Sequence, residues 1–136
     1  MSALSIIKAL EATLRSVSGA LSTVYEGETP TFTIDPATPY QRADTLFGEP
    51  LVDELTANRR EEGYYQIRLL YPAGVSAGAP LTRAEAIRAA FKRGTSAMSG
   101  GVTVHFQNSE LGAKRTEGDW DIWPVRVRFY AHLIIT

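Results

Sequence analysis

The sequence predicts an α+β fold, a mostly antiparallel sheet of about four to five strands with two helices packed on one face, and three observations carry that expectation. Tyr65, Ile67, Leu69 and Tyr71 alternate with Tyr64, Gln66, Arg68 and Leu70, the period-2 pattern of a strand with one buried face. Near the other end, Trp123, Val125, Val127, Phe129, Ala131 and Leu133 share one parity while Arg126, Arg128, Tyr130 and His132 share the other. At the start of the chain, Ala3, Ile6, Ile7, Leu10, Leu14 and Val17 recur at helical spacing, with Lys8, Glu11 and Arg15 between them. Strands that alternate in this way need cover on one side only, and the helices supply it.

Taken in order, the first eighteen residues form an amphipathic helix ending near Gly19. Thr, Pro and Gly then dominate residues 20–39, where Val24-Tyr25-Glu26 and Phe32-Thr33-Ile34 are the two extended pieces. Tyr40 to Phe47 is a strand candidate whose alternation is interrupted by Arg42 and Asp44. From Gly48 to Gly63 the charged residues Glu49, Asp53, Glu54, Arg59, Arg60, Glu61 and Glu62 crowd a segment with few apolar anchors. A loop of that length is functional or orders on meeting a partner, and a long twisted hairpin is the alternative. The strand after it ends at Pro72-Ala73-Gly74. Thr82-Arg83-Ala84-Glu85 then has the spacing of a capping box, with Leu81 placed to staple onto Ala86. The helix it opens runs through Ile87 and Phe91, closes on Lys92 and Arg93 and stops at Gly94. Gly94 to Gly101 reads as a helix cap plus a turn, and Val102, Val104 and Phe106 alternate as a further strand. Asn108 to Asp119 is a polar turn. Trp120 and Ile122 fall on the opposite parity from Trp123 onward, so a bulge or an edge position is expected just before Pro124.

A chain of 136 residues fits one domain, 1–136, with enough length for a core of its own. Hydrophobic residues make up 44% and charged residues 21%, ordinary for a folded protein, so no cofactor is expected to be needed for folding. A net charge of −1 argues against a dedicated nucleic-acid binder, which needs a cationic excess to neutralise phosphates. The absence of cysteine excludes disulfides, thiolate nucleophiles and Cys-ligated zinc. No apolar run is long enough to span a bilayer, and the charged residues of the first helix do not suit a signal peptide.

Candidate chemistry is sparse. Gly74-Val75-Ser76-Ala77-Gly78 matches the nucleophile-elbow pattern literally, with Asp119, Asp121 and His132 downstream. An elbow, however, puts its serine at the turn directly into a helix, and here Pro80, Leu81 and the Thr82 cap intervene, so the match reads as coincidence. His105 and His132 lie on separate strands without short-spaced partners and read as ordinary strand residues. Glu117, Asp119 and Asp121 flank a glycine in a turn, where solvated acids are common. Arg83, Arg88, Lys92, Arg93, Arg126 and Arg128 are the one basic grouping and read as a solvated face, while Tyr65, Tyr71, Trp123 and Phe129 sit at core spacing.

Gly63-Tyr64-Tyr65-Gln66-Ile67 through Tyr71-Pro72-Ala73-Gly74, Ala86-Ile87-Arg88-Ala89-Ala90-Phe91 with Gly94-Thr95, Gly100-Gly101-Val102, and Gly118-Asp119-Trp120 with Pro124-Val125-Arg126-Val127 resemble, in order and spacing, a prophage-encoded family related to phage tail terminators. The resemblance covers about residues 60 to 131. It implies a small α+β subunit that forms a ring, a hexamer, at the head-proximal end of a tail tube, ends tube growth and offers a surface to the head-tail connector. Its partners would be copies of itself, the tube protein and the connector protein, with no membrane and no specific nucleic acid. It would work in the host cytoplasm during assembly and then in the virion tail. The residues it matches, Gly63, Pro72, Gly74, Gly94, Gly101, Trp120 and Pro124, mark turns and packing, as do the cap residues Thr82 and Glu85, and none is catalytic. Arg59, Arg60, Glu61 and Glu62 of the charged segment and the apolar terminus Leu133, Ile134 and Ile135 are the expected interface. A hydrolase dependent on Ser76 and a monomeric binding adaptor are the alternatives.

Overall fold

A computed structural model describes residues 2–17, 21–48, 51–53 and 58–134, with side chains described for 4–17, 21–48 and 60–132. In chain order the elements are α1 (Ser2–Arg15), β1 (Ser22–Val24), β2 (Tyr40–Phe47), β3 (Leu51–Asp53), β4 (Asn58–Pro72), α2 (Gly78–Ala90), β5 (Ser96–Ser99), β6 (Val102–Leu111), β7 (Arg115–Glu117) and β8 (Trp120–Ile134). The strands form one eight-stranded sheet in the order β1-β2-β4-β8-β6-β5, with β3 paired to β4 and β7 to β8. The expected α+β layers are present, but the sheet is larger than four to five strands and is mixed, because β1 runs parallel to β2. The missed strands have a common cause: β1, β3, β5 and β7 span three or four residues each, too few for an alternation to show.

β4 and β8 form the spine. They pair antiparallel from Asn58↔Ile134 to Pro72↔Trp120 without a slip, and at strand rise this ladder is about 50 Å long. Odd-numbered residues of both strands face the helices. There Tyr65, Ile67, Leu69, Val125, Val127, Phe129 and Ala131 join Val104 and Phe106 of β6 in the main core. α1 contributes Ile6, Ala9, Leu10 and Leu14, and α2 contributes Ala84, Ile87 and the following Phe91. Each buried Leu or Ile is worth about 1.5–3 kcal/mol, enough to hold α1 on the sheet. Phe91 sits at the centre, 5.8 Å from the Tyr65 ring and 5.0 Å from Phe106, ring centre to ring centre.

α2 begins earlier than the sequence suggests. Pro80 lies in its first turn, where a missing N–H costs no hydrogen bond, so the helix starts at Gly78. Thr82 is therefore inside the helix, its hydroxyl donating to the Gly78 carbonyl at 2.8 Å, and no side chain caps the helix at Ala77. The capping box of Thr82 and Glu85 and the Leu81 staple do not form. Gly94 does take a left-handed φ of 87°, but the helix has ended by Ala90, and the Gly94 N–H instead bonds the Phe106 carbonyl at 3.1 Å, tying the turn to β6. Gly100 and Gly101, both at positive φ, are the two-residue turn of a β5–β6 hairpin, so the segment expected to be a cap plus a turn also holds a strand.

Three more expectations change. Within the stretch from Gly48 to Gly63, the described residues 51–53 and 58–63 are strand rather than loop: β3 pairs with β4 from Leu51↔Arg60 to Asp53↔Asn58, and β4 is already paired with β8 over the same residues. Gly63 is thus a mid-strand residue, not a turn. Asn108 to Asp119 is likewise structured, with β6 running on to Leu111 after an irregularity between Phe106 and Ser109, and β7 paired to β8. Pro124 is neither at an edge nor in a bulge. Its carbonyl accepts the Gly112 N–H at 2.8 Å, so its ring nitrogen faces the gap between the β6 and β7 ladders, where no N–H is called for. The parity change at Trp120 and Ile122 marks a second, smaller core on the reverse face, where Val24, Tyr40, Leu70 and Ile122 are buried with Phe32 and Trp120 against them. Residues 25–39 contribute Phe32 to this cluster, whose ring meets Tyr40 edge-on at 5.7 Å, as Trp120 does at 5.2 Å.

Candidate functional site

The sheet has two unlike faces. Beyond the small reverse core, the even-numbered residues of β2, β4 and β8 stand on a face that neither helix covers. The register sets them in rows: Arg42 beside Arg68; Asp44, Gln66 and Arg126 with Glu110 of β6; Leu46, Tyr64 and Arg128; and Glu62 beside Tyr130 and His105. Arg68 holds Asp44 at 2.8 Å, and Arg60 approaches Glu62 at 3.6 Å. Arg126 lies over the Tyr64 ring at 5.7 Å and Arg42 over Tyr40 at 5.6 Å. Tyr130 is flanked from both neighbouring strands, by the stacked His105 imidazole at 4.9 Å and by the Arg60 guanidinium at 4.2 Å, with His132 edge-on at 5.7 Å. Where the β6–β7 connection passes, a cleft of about 360 Å³ opens on this face, lined by Gln66, Arg68, Glu110, Arg115 and Arg126.

The residues singled out for chemistry do not converge. Ser76 is an exposed loop residue two positions before α2. Asp121 and His132 are eleven residues apart along β8, about 36 Å by strand rise, so no Ser76-Asp-His constellation forms. Asp121 has a different task. It is 5% exposed, accepts the Thr116 hydroxyl at 2.7 Å and the Gly74 N–H at 3.3 Å, and has Lys114 at 3.9 Å. It thereby pins the loop before α2 to the β7–β8 hairpin. The Thr116 hydrogen bond, with help from Gly74 and Lys114, holds its carboxyl below the usual range against the opposing effect of burial. Among the described residues, no group of three or more His, Asp or Glu is placed to hold a metal ion, and no helix is long and apolar enough to cross a membrane.

The basic grouping is split by the sheet. Arg83 is buried under α2, its Nε donating to Gln41 Oε1 at 3.2 Å while Gln41 Nε2 donates to the Thr23 hydroxyl at 2.9 Å. This chain ties α2 to β2 and β1, and burial lowers the Arg83 pKa and raises that of Tyr71 beside it. Arg88 reaches Ser109 of β6, at 3.2 Å from the hydroxyl and 3.3 Å from the carbonyl. Lys92 and Arg93 are exposed after α2, and Arg126 and Arg128 are on the opposite side of the sheet. Of the expected interface, Arg60, Glu61 and Glu62 are half-buried residues of β4. Arg59, Leu133 and Ile134 are placed by their backbones, with Arg59 opposite Leu133 in the ladder, and Ile135 lies outside the described residues. The Tyr130 stack was not legible as a site; its signal was the polar parity of β8, which holds the aromatic Tyr130 between Arg128 and His132.

No curated protein matches the chain. A solved structure that carries no functional description shares the fold, with a TM-score of 0.72 at 20% identity, over 98% of this chain and 94% of that one. The family described as phage tail terminator protein matches residues 5–129, from α1 into the second half of β8. The chain belongs to the phage tail terminator protein family.

Proposed function

We propose that this protein caps the head-proximal end of a phage tail tube, acting as one domain that assembles with copies of itself into a ring of six, ends tube elongation and prepares the end for joining to the head. The observation that carries the reading is the family match over residues 5–129. The layout supports it. A sheet with one face under helices and the other open, polar and aromatic suits a subunit that works by contact. The strands β3, β4 and β8, with Arg59, Arg60, Glu61, Glu62, Leu133 and Ile134, are the proposed contact region between subunits, and head-to-tail contacts of that kind close a ring when the rotation permits. Its partners are the tube protein and the connector protein, with no cofactor, no membrane and no specific nucleic acid, and its place is the host cytoplasm during assembly and then the virion tail.

Assembly of tails with and without the protein tests this. Lysates lacking it should hold tubes of uncontrolled length that do not join heads, and adding the purified protein during assembly should restore one length. Tubes of normal length that join heads without it would end the proposal.

A further inference from the structure

We infer that the open outer edge of β2 is a strand-addition site, and that its occupant is β5 of a second copy. This rests on the self-assembly proposed above and names the strands that carry it. Both β2 and β3 pair with the side of β4 that β8 leaves free, so they lie end to end along it, Phe47 opposite Gly63 and Leu51 opposite Arg60. On the outer side of β2, β1 covers only Tyr40 to Arg42. Past that point no strand is hydrogen-bonded to β2 on this side among the described residues. N–H and C=O groups alternate sides along a strand, and the Gly48 N–H bonds the Glu62 carbonyl of β4, so those of Thr45 and Phe47 point outward. A side chain meets the first of them: the Glu26 carboxylate accepts the Thr45 N–H, standing where the carbonyl of a neighbouring strand would. Beside it, Leu46 is 47% exposed and Phe47 38%. Natural sheets guard open edges with charge or proline, and Thr45-Leu46-Phe47 has neither.

The sheet itself supplies the partner. At its opposite end β5 is hydrogen-bonded to β6 and, among the described residues, to no other strand. Ser96-Ala97-Met98-Ser99 is again free of charge and proline, and Met98 is 70% exposed. Four residues span about 13 Å, the length of β2 from Asp44 to Phe47. Four antiparallel steps lead from β2 through β4, β8 and β6 to β5, so the two edges run in the same direction. A rotation that sets one copy beside the next without turning it over therefore pairs them as parallel strands. Ala97 is opposite Val104 of the core, so Met98 stands on the uncovered face, as Leu46 does opposite Tyr64, and continuing the sheet brings these two apolar side chains together. Each copy then uses two unlike edges, a head-to-tail contact that repeats until it closes. Pairing β5 with β5, or β2 with β2, needs a two-fold axis and stops at two copies. A strand of the tube protein on β2 would leave the β5 edge bare.

The chain has no cysteine, so the full chain carrying L46C takes a single benzophenone label at the β2 edge. Labelled protein is irradiated at concentrations where it sediments as an oligomer and on purified tail tubes of the same phage, and the adducts are mapped by peptide mass spectrometry. Thermal unfolding of each variant checks that it folds. The expected adduct joins position 46 of one copy to the segment 95–103 of another in both samples. In sedimentation of unlabelled protein, M98K should weaken self-association by about 10-fold, and V75K, at an exposed loop position, should leave it unchanged. E26A, which frees the Thr45 N–H for a partner strand, should strengthen self-association by about 3-fold. Adducts confined to the tube protein, or to another segment of a copy, would overturn the pairing and leave the capping role standing. So would self-association undiminished in M98K or not strengthened in stably folded E26A. If the wild type binds no tubes at all, the capping role itself fails, whatever the adducts show.

Discussion

Replacing Gly63 by alanine tests the geometry that brings the spine together. Gly63 is opposite Phe47 on β2 and Phe129 on β8, whose rings meet edge-to-face at 6.0 Å. A Cβ there would fall inside contact distance of the Leu46 carbonyl oxygen and within 3.1 Å of its carbon and of the Phe47 Cα, against about 3.4 Å for ordinary contact. These are backbone atoms and cannot swing aside. β2 must move away from β4, and the adjacent hydrogen bond from the Gly48 N–H to the Glu62 carbonyl, 2.7 Å, goes with it. Overpacking costs about 1–3 kcal/mol and a lost hydrogen bond about 1, so G63A should destabilise the protein by roughly 2–4 kcal/mol. That corresponds to a fall in Tm of about 6–12 °C for a chain of this size. Urea unfolding followed by tryptophan fluorescence measures it, with G74A at a glycine of φ 85° and open surroundings as the comparison. A loss below about 0.5 kcal/mol for G63A would show that the strands do not approach as described.

Phe91, fully buried between Tyr65 and Phe106, should cost about 3–5 kcal/mol as F91A in the same assay. T82A should cost less than about 0.5 kcal/mol in thermal unfolding, because the hydroxyl bonds within the helix; a loss near 1 kcal/mol would restore the cap. The Asp121 carboxyl, held below its ordinary value of 3.8 when folded, contributes stability that is complete above the unfolded pKa and is lost as pH falls through the folded one. D121A should therefore flatten the fall of stability below about pH 4 seen in acid titration of the wild type, and an unchanged profile would remove Asp121 from the latch. S76A should leave tail length, folding and any background ester hydrolysis as in the wild type; loss of an esterase activity with that single change would revive the hydrolase alternative.

The fold was legible where a pattern ran long. Fifteen-residue strands such as β4 and β8 repeat their alternation often enough to be read, and the 3.6-residue period of α1 is equally plain. Short strands are not legible, because Ser22–Val24 or Arg115–Glu117 acquire their conformation from the neighbour they pair with. The start of α2 was misplaced because two local rules disagreed: the spacing of Thr82 and Glu85 imitates a cap, while Pro80 is equally at home inside a first turn. The charged segment after Gly48 looked like a loop because a strand whose exposed face is charged has few apolar anchors to display. The candidate site was less legible than the fold. Tyr130, His105 and Arg60 come from three strands, and the register that unites them is set by the pairing of β8 with β4 and β6, not by any local spacing.

The most direct test of the central claim, that this protein acts by contact at one end of a tube, is to image purified tail tubes after mixing with it. A ring of copies seated on one end only, with none along the wall, is the predicted result. Protein spread along the tube, or ends left bare at saturating concentration, would contradict it.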